Sequence, residues 1–161
     1  MPSPSESEPS EPSPTETGPA KPERPAAMDR DDAEGAAAAA EYFLSLYGYV
    51  LATGDTAEWD AMTWVETCEF CASVRADAVE IAESGDAFTG SEILVSNIEV
   101  ADLDTFTGAF PVLASYEQAP YERVDGSGAV VDQGDGGRGE LQIDVIHTAD
   151  DWATVALTLK D

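Results

Sequence analysis

The only two cysteines of this 161-residue chain stand in the stretch Thr67-Cys68-Glu69-Phe70-Cys71. Three chemistries use a C-x-x-C pair: a thiol redox centre, a metal clamp and a disulfide staple. A cysteine-rich zinc site needs four ligands, and the single histidine, His147, lies far along the chain, so no metal is expected. A thioredoxin-like centre places its cysteines after a parallel strand in a βαβ unit, whereas "MTWVETCEFC" follows a helical stretch. Cysteines at i and i+3 in a first helical turn lie about 5 Å apart, inside the disulfide range of roughly 4.4–6.8 Å. Cys68 and Cys71 are therefore expected to form a structural disulfide.

Two further features invite a chemical reading. "GDGGRG", Gly134 to Gly139, satisfies G-x-G-x-x-G, but the dinucleotide fingerprint opens a helix and here a strand-period segment, "ELQIDVIHT", follows. It reads as a hairpin loop, and Asp132, Asp135 and Glu140 around it are unwelcoming to phosphate, so no cofactor is expected. His147 shares strand parity with Leu141, Ile143 and Val145, and Tyr116 extends the stripe of Phe110 and Val112. If these faces line an apolar pocket, desolvation would tune His147 as a general base, and Tyr116 would bring a hydroxyl to the same space. The competing reading of a lone histidine at a strand end is a surface or hydrogen-bonded residue. No Ser-His-Asp pattern or paired-carboxylate spacing accompanies it, so no catalytic residue is assigned beyond these two candidates.

The elements that would position these residues are legible from period and capping. In "DRDDAEGAAAAAEYFLSLYGYVLATGD", Asp31 and Glu34 are spaced as a capping box. Ala36, Ala40, Phe43, Tyr47 and Val50 recur on one helical face, predicting a helix over 32–52 ended by Gly54. Phe43 and Tyr47 are candidate lining residues of the same pocket. Asp55 or Thr56 can cap a short helix carrying Trp59 and Met62; after a break at 65–67 a further helix, capped by Thr67, carries Phe70, Val74, Ala78 and Ile81 to Gly85. From Gly90 the period is two. "SEILVSNIEV" changes phase at Ser96 and Asn97, which predicts a bulge, and "GAFPVLASYEQ", "YERV", "AVV", "ELQIDVIHT" and "ATVALTLKD" follow as strands. Helices first and antiparallel strands afterwards indicate an α+β fold, with the helices packed on one face of a curved sheet. Phe88, Phe106, Phe110, Trp59, Trp64 and Trp152 are available to fill the space between them.

Composition bounds the rest. Residues 1–26 alternate Pro with Ser, Thr and Glu and read as a disordered tether, leaving 27–161 as one domain. With 33 acidic residues against 7 Lys and Arg, the formal charge of −26 repels phosphate backbones and anionic lipid, so nucleic-acid binding is not expected. No signal segment or membrane-length apolar run is visible, while a tether and two paired cysteines suit an exported protein, so an extracytoplasmic location is expected.

The segments "GAAAAAEYFLSLYGYVLATGDTAEWDAM", "CEFC" and "ESGDAFTG" resemble a domain of unknown function found in actinobacterial lipoproteins. The helix-then-sheet order is similar to the wider NTF2-like (SnoaL-like) group, whose helices and bent sheet make a cone. The resemblance implies a secreted protein of the cell envelope, held to the membrane only through a lipid anchor, and assigns no activity. The expected function is a non-catalytic binding or interaction module for a small apolar ligand or an envelope protein. The alternative is an NTF2-like isomerase, dehydratase or cyclase with His147 as its base.

Overall fold

The computed structural model describes residues 20–148 and 151–160. After a 3-10 turn at Ala26–Asp29, three helices follow: α1 at Ala33–Thr53, α2 at Ala57–Ala61 and α3 at Glu69–Ser84. Seven strands complete the chain: β1 Ala87–Gly90, β2 Ile93–Val100, β3 Ala109–Gln118, β4 Tyr121–Val124, β5 Val130–Gly134, β6 Gly137–Thr148 and β7 Asp151–Lys160. All named strands pair antiparallel, in a four-stranded sheet β2-β3-β6-β7 and a three-stranded sheet β1-β4-β5. This is the expected α+β plan of N-terminal helices on an antiparallel sheet.

The two sheets are one hairpin system bent at a corner. The β3–β6 ladder ends at the pair Gln118–Gly137, and the β4–β5 ladder resumes at Tyr121–Gly134. Three linkers turn together there: Ser91-Glu92, Ala119-Pro120 and Asp135-Gly136. The corner is hydrogen-bonded, Ser91 N donating to the Pro120 carbonyl at 3.1 Å and Ala119 N to that of Glu92 at 2.9 Å. Gly90 has φ +89°, and a Cβ on it would lie 2.0 Å from the Pro120 oxygen, so only glycine allows this approach. The glycine run expected as a hairpin loop is instead the crossing from one sheet to the other, because β5 pairs with β4 and β6 with β3.

Helix α1 lies across β2, β3 and β6 and is buried on several sides. Its N-cap is Asp32, one residue past the expected Asp31, because the Arg30 guanidinium holds the Asp32 carboxylate, which accepts from Gly35 N. Those bonds, Arg30 first, hold the Asp32 carboxyl down at about 2. Gly54 and Gly85 end α1 and α3 in the left-handed conformation, as their positions imply. The bulge falls where the phase change placed it, with the β2–β3 register shifting after Ser96 and Asn97 at φ +53°.

The chain ahead of α1 is strapped to the domain from Ala20 onward. Three of the seven Lys and Arg residues sit in this strap. Arg24 grips Asp151 with two bonds of 3.0 and 2.8 Å, Lys21 lies 3.8 Å from Glu58, and Trp152 Nε1 donates to the carbonyls of Met28 and Arg30 at 3.1 Å each. Burial opposes ionisation of Asp151, but the bonds from Arg24 and from Trp152 N outweigh it and hold its carboxyl below 3.8. A depressed carboxylate pKa adds stability above its unfolded value and loses it as pH falls through the folded one. Asp151→Asn is therefore expected to cost at most about 1 kcal/mol at pH 7, the pair being partly exposed. That difference from the wild type should shrink in urea titrations as pH falls below the usual carboxylate range; a gap that stays constant over that fall would mean the pair contributes by shape rather than charge.

Candidate functional site

The interior of the cone is occupied by side chains. Phe43 stacks on Trp59 with ring centroids 4.0 Å apart, and Leu46, Val50, Val112, Ile143 and Val145 fill the space around them, all fully buried. Val112 and Ile143 are direct cross-strand partners, as are Phe110 and Val145, so the expected common face exists and is packed beneath α1. Phe110, half-buried, tilts against Trp152 at 6.0 Å. His147 meets the edge of the same indole at 4.9 Å. Tyr116 pairs with Gly139, eight residues along β6 from His147 and about 27 Å away, so the two candidate catalytic groups do not share one space. Two aromatics expected inside the core lie outside it: Phe106 is 96% exposed and Trp64 is 40% exposed. Phe106 caps a loop tied by Asp104, and the Trp64 main chain is committed to pairing with Thr154.

The cysteines form the expected disulfide, with Cα atoms 5.2 Å apart at the start of α3. Cys68 rather than Thr67 caps the helix, its Sγ accepting from Cys71 N, while the Thr67 hydroxyl donates to the Val155 carbonyl. Both cysteines are 0% exposed, and Trp59 Nε1 donates to the Cys71 carbonyl at 3.0 Å. A redox centre presents a sulfur to its partner; this pair instead staples the loop before α3 to the Trp59 stack. Closing a loop of about four residues stabilises by ~2 kcal/mol. Cys68→Ala with Cys71→Ala is expected to lower Tm by roughly 5–10 °C and keep the fold. Circular dichroism melts test this, and loss of the folded baseline in the double variant would show the staple to be essential. Among the described residues no group of three His, Cys, Asp or Glu side chains is placed to hold a metal ion.

A surface pocket of about 290 Å³ opens where α1, α3 and the small sheet meet. Helix α1 supplies Tyr47 and Leu51, α3 supplies Asp77, Glu80 and Ile81, and β1, β4 and β5 supply Phe88, Tyr121, Arg123 and Asp132. Phe88 and Tyr121 stack at 5.3 Å, and Tyr47 stacks on Phe70 at 6.0 Å. Arg123 is held by Asp86 at 2.7 Å and lies 3.7 Å from Glu80. Burial and the nearby Asp132 carboxylate, 3.5 Å from the hydroxyl, raise the Tyr121 phenol above its usual range. Of the residues expected to line a pocket, Tyr47 does so here, while Tyr116 borders a shallow groove on the sheet near Glu117 and Arg138. Tyr121 was missed, yet the glycine run carried a signal for it. A Cβ on Gly134 would lie 2.3 Å from the Tyr121 ring, and one on Gly139 would lie 3.3 Å from the Tyr116 ring. These glycines seat tyrosines across a neighbouring strand.

N-terminal helices laid on a bent antiparallel sheet, with the space between them filled by side chains, define an α+β protein. The chain belongs to the family of unknown function DUF6318, whose model matches residues 9–158. No curated protein matches. Among solved structures, the intermembrane space region of the chloroplast protein ARC6 superposes with TM-score 0.56 at 12% identity, covering 81% of this chain and 97% of that one. An uncharacterised protein with a cystatin-like fold from Caulobacter vibrioides gives TM-score 0.47 at 12% identity, covering 79% and 91%. At these identities the likeness concerns the fold alone.

Proposed function

We propose that this domain is the non-catalytic, extracytoplasmic binding module of an actinobacterial lipoprotein. In this reading the Pro-, Ser- and Glu-rich tether carries it away from the membrane and the pocket beside Tyr47 and Tyr121 takes a small ligand. The observation that carries it is the placement of space: the cone is closed by Phe43, Trp59 and Ile143, while the pocket between α1, α3 and the small sheet stands open with stacked aromatic walls. Pockets for small molecules combine apolar walls with a few placed polar groups, and 290 Å³ lies just below their usual range of about 300–1,000 Å³, which suits a small ligand. A buried disulfide and a strongly acidic surface support an exported location. The enzymatic alternative would need His147 inside the cone, whereas its ring lies against the edge of Trp152 at the sheet end. No helix among the described residues is long and apolar enough to cross a membrane, so attachment in this reading rests on a lipid. Native mass spectrometry of the full-length protein gently extracted from its own membranes tests both parts. A lipid-modified species with an additional small bound mass is expected; an unmodified, ligand-free species in the cytosolic fraction would overturn the proposal.

A further inference from the structure

From the walls and charge of the pocket between α1, α3 and the small sheet, we infer that its ligand is an organic cation, an amine or quaternary ammonium on a small apolar body. The inference rests on the reading of that pocket as a binding site and adds the chemical class. Tyr47, Phe88 and Tyr121 border the space, and aromatic faces attract ammonium groups within about 6 Å through the ring quadrupole. Leu51 and Ile81 supply apolar surface for the rest of such a molecule. The charges decide the sign. Asp77, Glu80 and Asp132 are at the lining, and the single cation there, Arg123, is already neutralised by Asp86 at 2.7 Å, with a further bond of 3.2 Å to Ser84 Oγ. A carboxylate ligand would have to displace Asp86, whose side chain is only 10% exposed, and would then face Asp77, Asp132 and Glu80, of which only Glu80 lies near the guanidinium, at 3.7 Å. An ammonium ion meets carboxylates of opposite charge and aromatic rings at the same lining, and no ion pair there has to break.

Three probes of one shape separate the possibilities: 2-phenylethylamine, 2-phenylethanol and phenylacetate, titrated into the full-length protein at pH 7 and 50 mM salt while ring resonances of Tyr47, Phe88 and Tyr121 are followed by NMR. The amine is expected to bind at least tenfold more tightly than the alcohol, with phenylacetate weakest. Asp132→Asn should weaken the amine at least fivefold, while Glu117→Gln, on the other sheet, should leave it unchanged. Equal weakening by the two variants would reduce the effect to diffuse attraction by an acidic protein and overturn the inference. Tighter binding of the alcohol or of phenylacetate at the same rings would also overturn it, while leaving the pocket as a binding site. No shift at these rings with any probe would remove the pocket reading as well.

Discussion

Replacing Gly90 by alanine is expected to destabilise the domain by about 2–4 kcal/mol. The position has φ +89°, and a left-handed conformation costs a residue with a Cβ about 1 kcal/mol or more. The new methyl carbon would also stand 2.0 Å from the Pro120 carbonyl oxygen and 2.9 Å from the Tyr121 Cα, both backbone atoms. Relieving that overlap means opening the corner at which all three strand linkers turn, and overpacking of this kind costs roughly 1–3 kcal/mol in its own right. Gly85 is the matched control, because it has φ +76° and nothing within 4 Å of its ideal Cβ position. Gly85→Ala should therefore show the conformational cost alone, about 1 kcal/mol. Urea titrations of both variants measure the difference. Equal losses would mean that the corner relaxes freely and that its close packing does not hold the two sheets in register. Because Ser91 and Tyr121 border the pocket, Gly90→Ala should also broaden the Tyr121 ring signals.

The second large effect is expected at Trp59. Trp59→Ala should cost about 3–5 kcal/mol, the usual range for removing a fully buried aromatic side chain. The indole joins three parts of the protein. It stacks on Phe43 of α1 at 4.0 Å, tilts against Phe70 of α3 at 6.2 Å, and donates its Nε1 hydrogen to the carbonyl of Cys71 beside the disulfide. Trp59→Phe keeps a ring against Phe43 and loses the hydrogen bond, so its cost should fall nearer 1 kcal/mol beyond the cavity left by the smaller ring. Combined with the double cysteine variant, Trp59→Ala should cost less than the sum of the two, because both loosen the same junction of α2 and α3. A loss of under 1 kcal/mol for Trp59→Ala would contradict the filled-cone description, since it would require the interior to collapse around the gap or to be hydrated already.

Much of this architecture was written locally. The helices are marked by apolar spacing and ended by Gly54 and Gly85, whose φ of +76° in each case is the conformation that a glycine stop implies. The bulge in β2 shows as a phase change because strand side chains alternate faces, so an inserted residue must flip the pattern. The disulfide follows from geometry within one helical turn, where sequence separation nearly determines distance. Even the shared face of Phe110, Val112, Ile143 and Val145 could be read from parity, since pairing two strands in register keeps parity intact.

What sequence could not settle are matters of which surfaces meet at long range. Parity put Tyr116 and His147 on one face, but only the register of β3 against β6 set them about 27 Å apart. Trp59, Trp64 and Phe106 are equally apolar as letters; the meeting of α1 with α2 buried the first, while the Trp64 pairing with Thr154 and the Asp104 loop left the other two outside. The glycine run at 134–139 was visible, but its purpose was not, because the rings it accommodates come from Tyr116 and Tyr121 on neighbouring strands. Sequence thus determined the elements, their ends and the local staple, all governed by interactions within a few residues. The corner, the filled cone and the acidic aromatic pocket were decided by the tertiary structure, because each forms only when chain segments tens of residues apart are brought into contact and their backbones fixed in register.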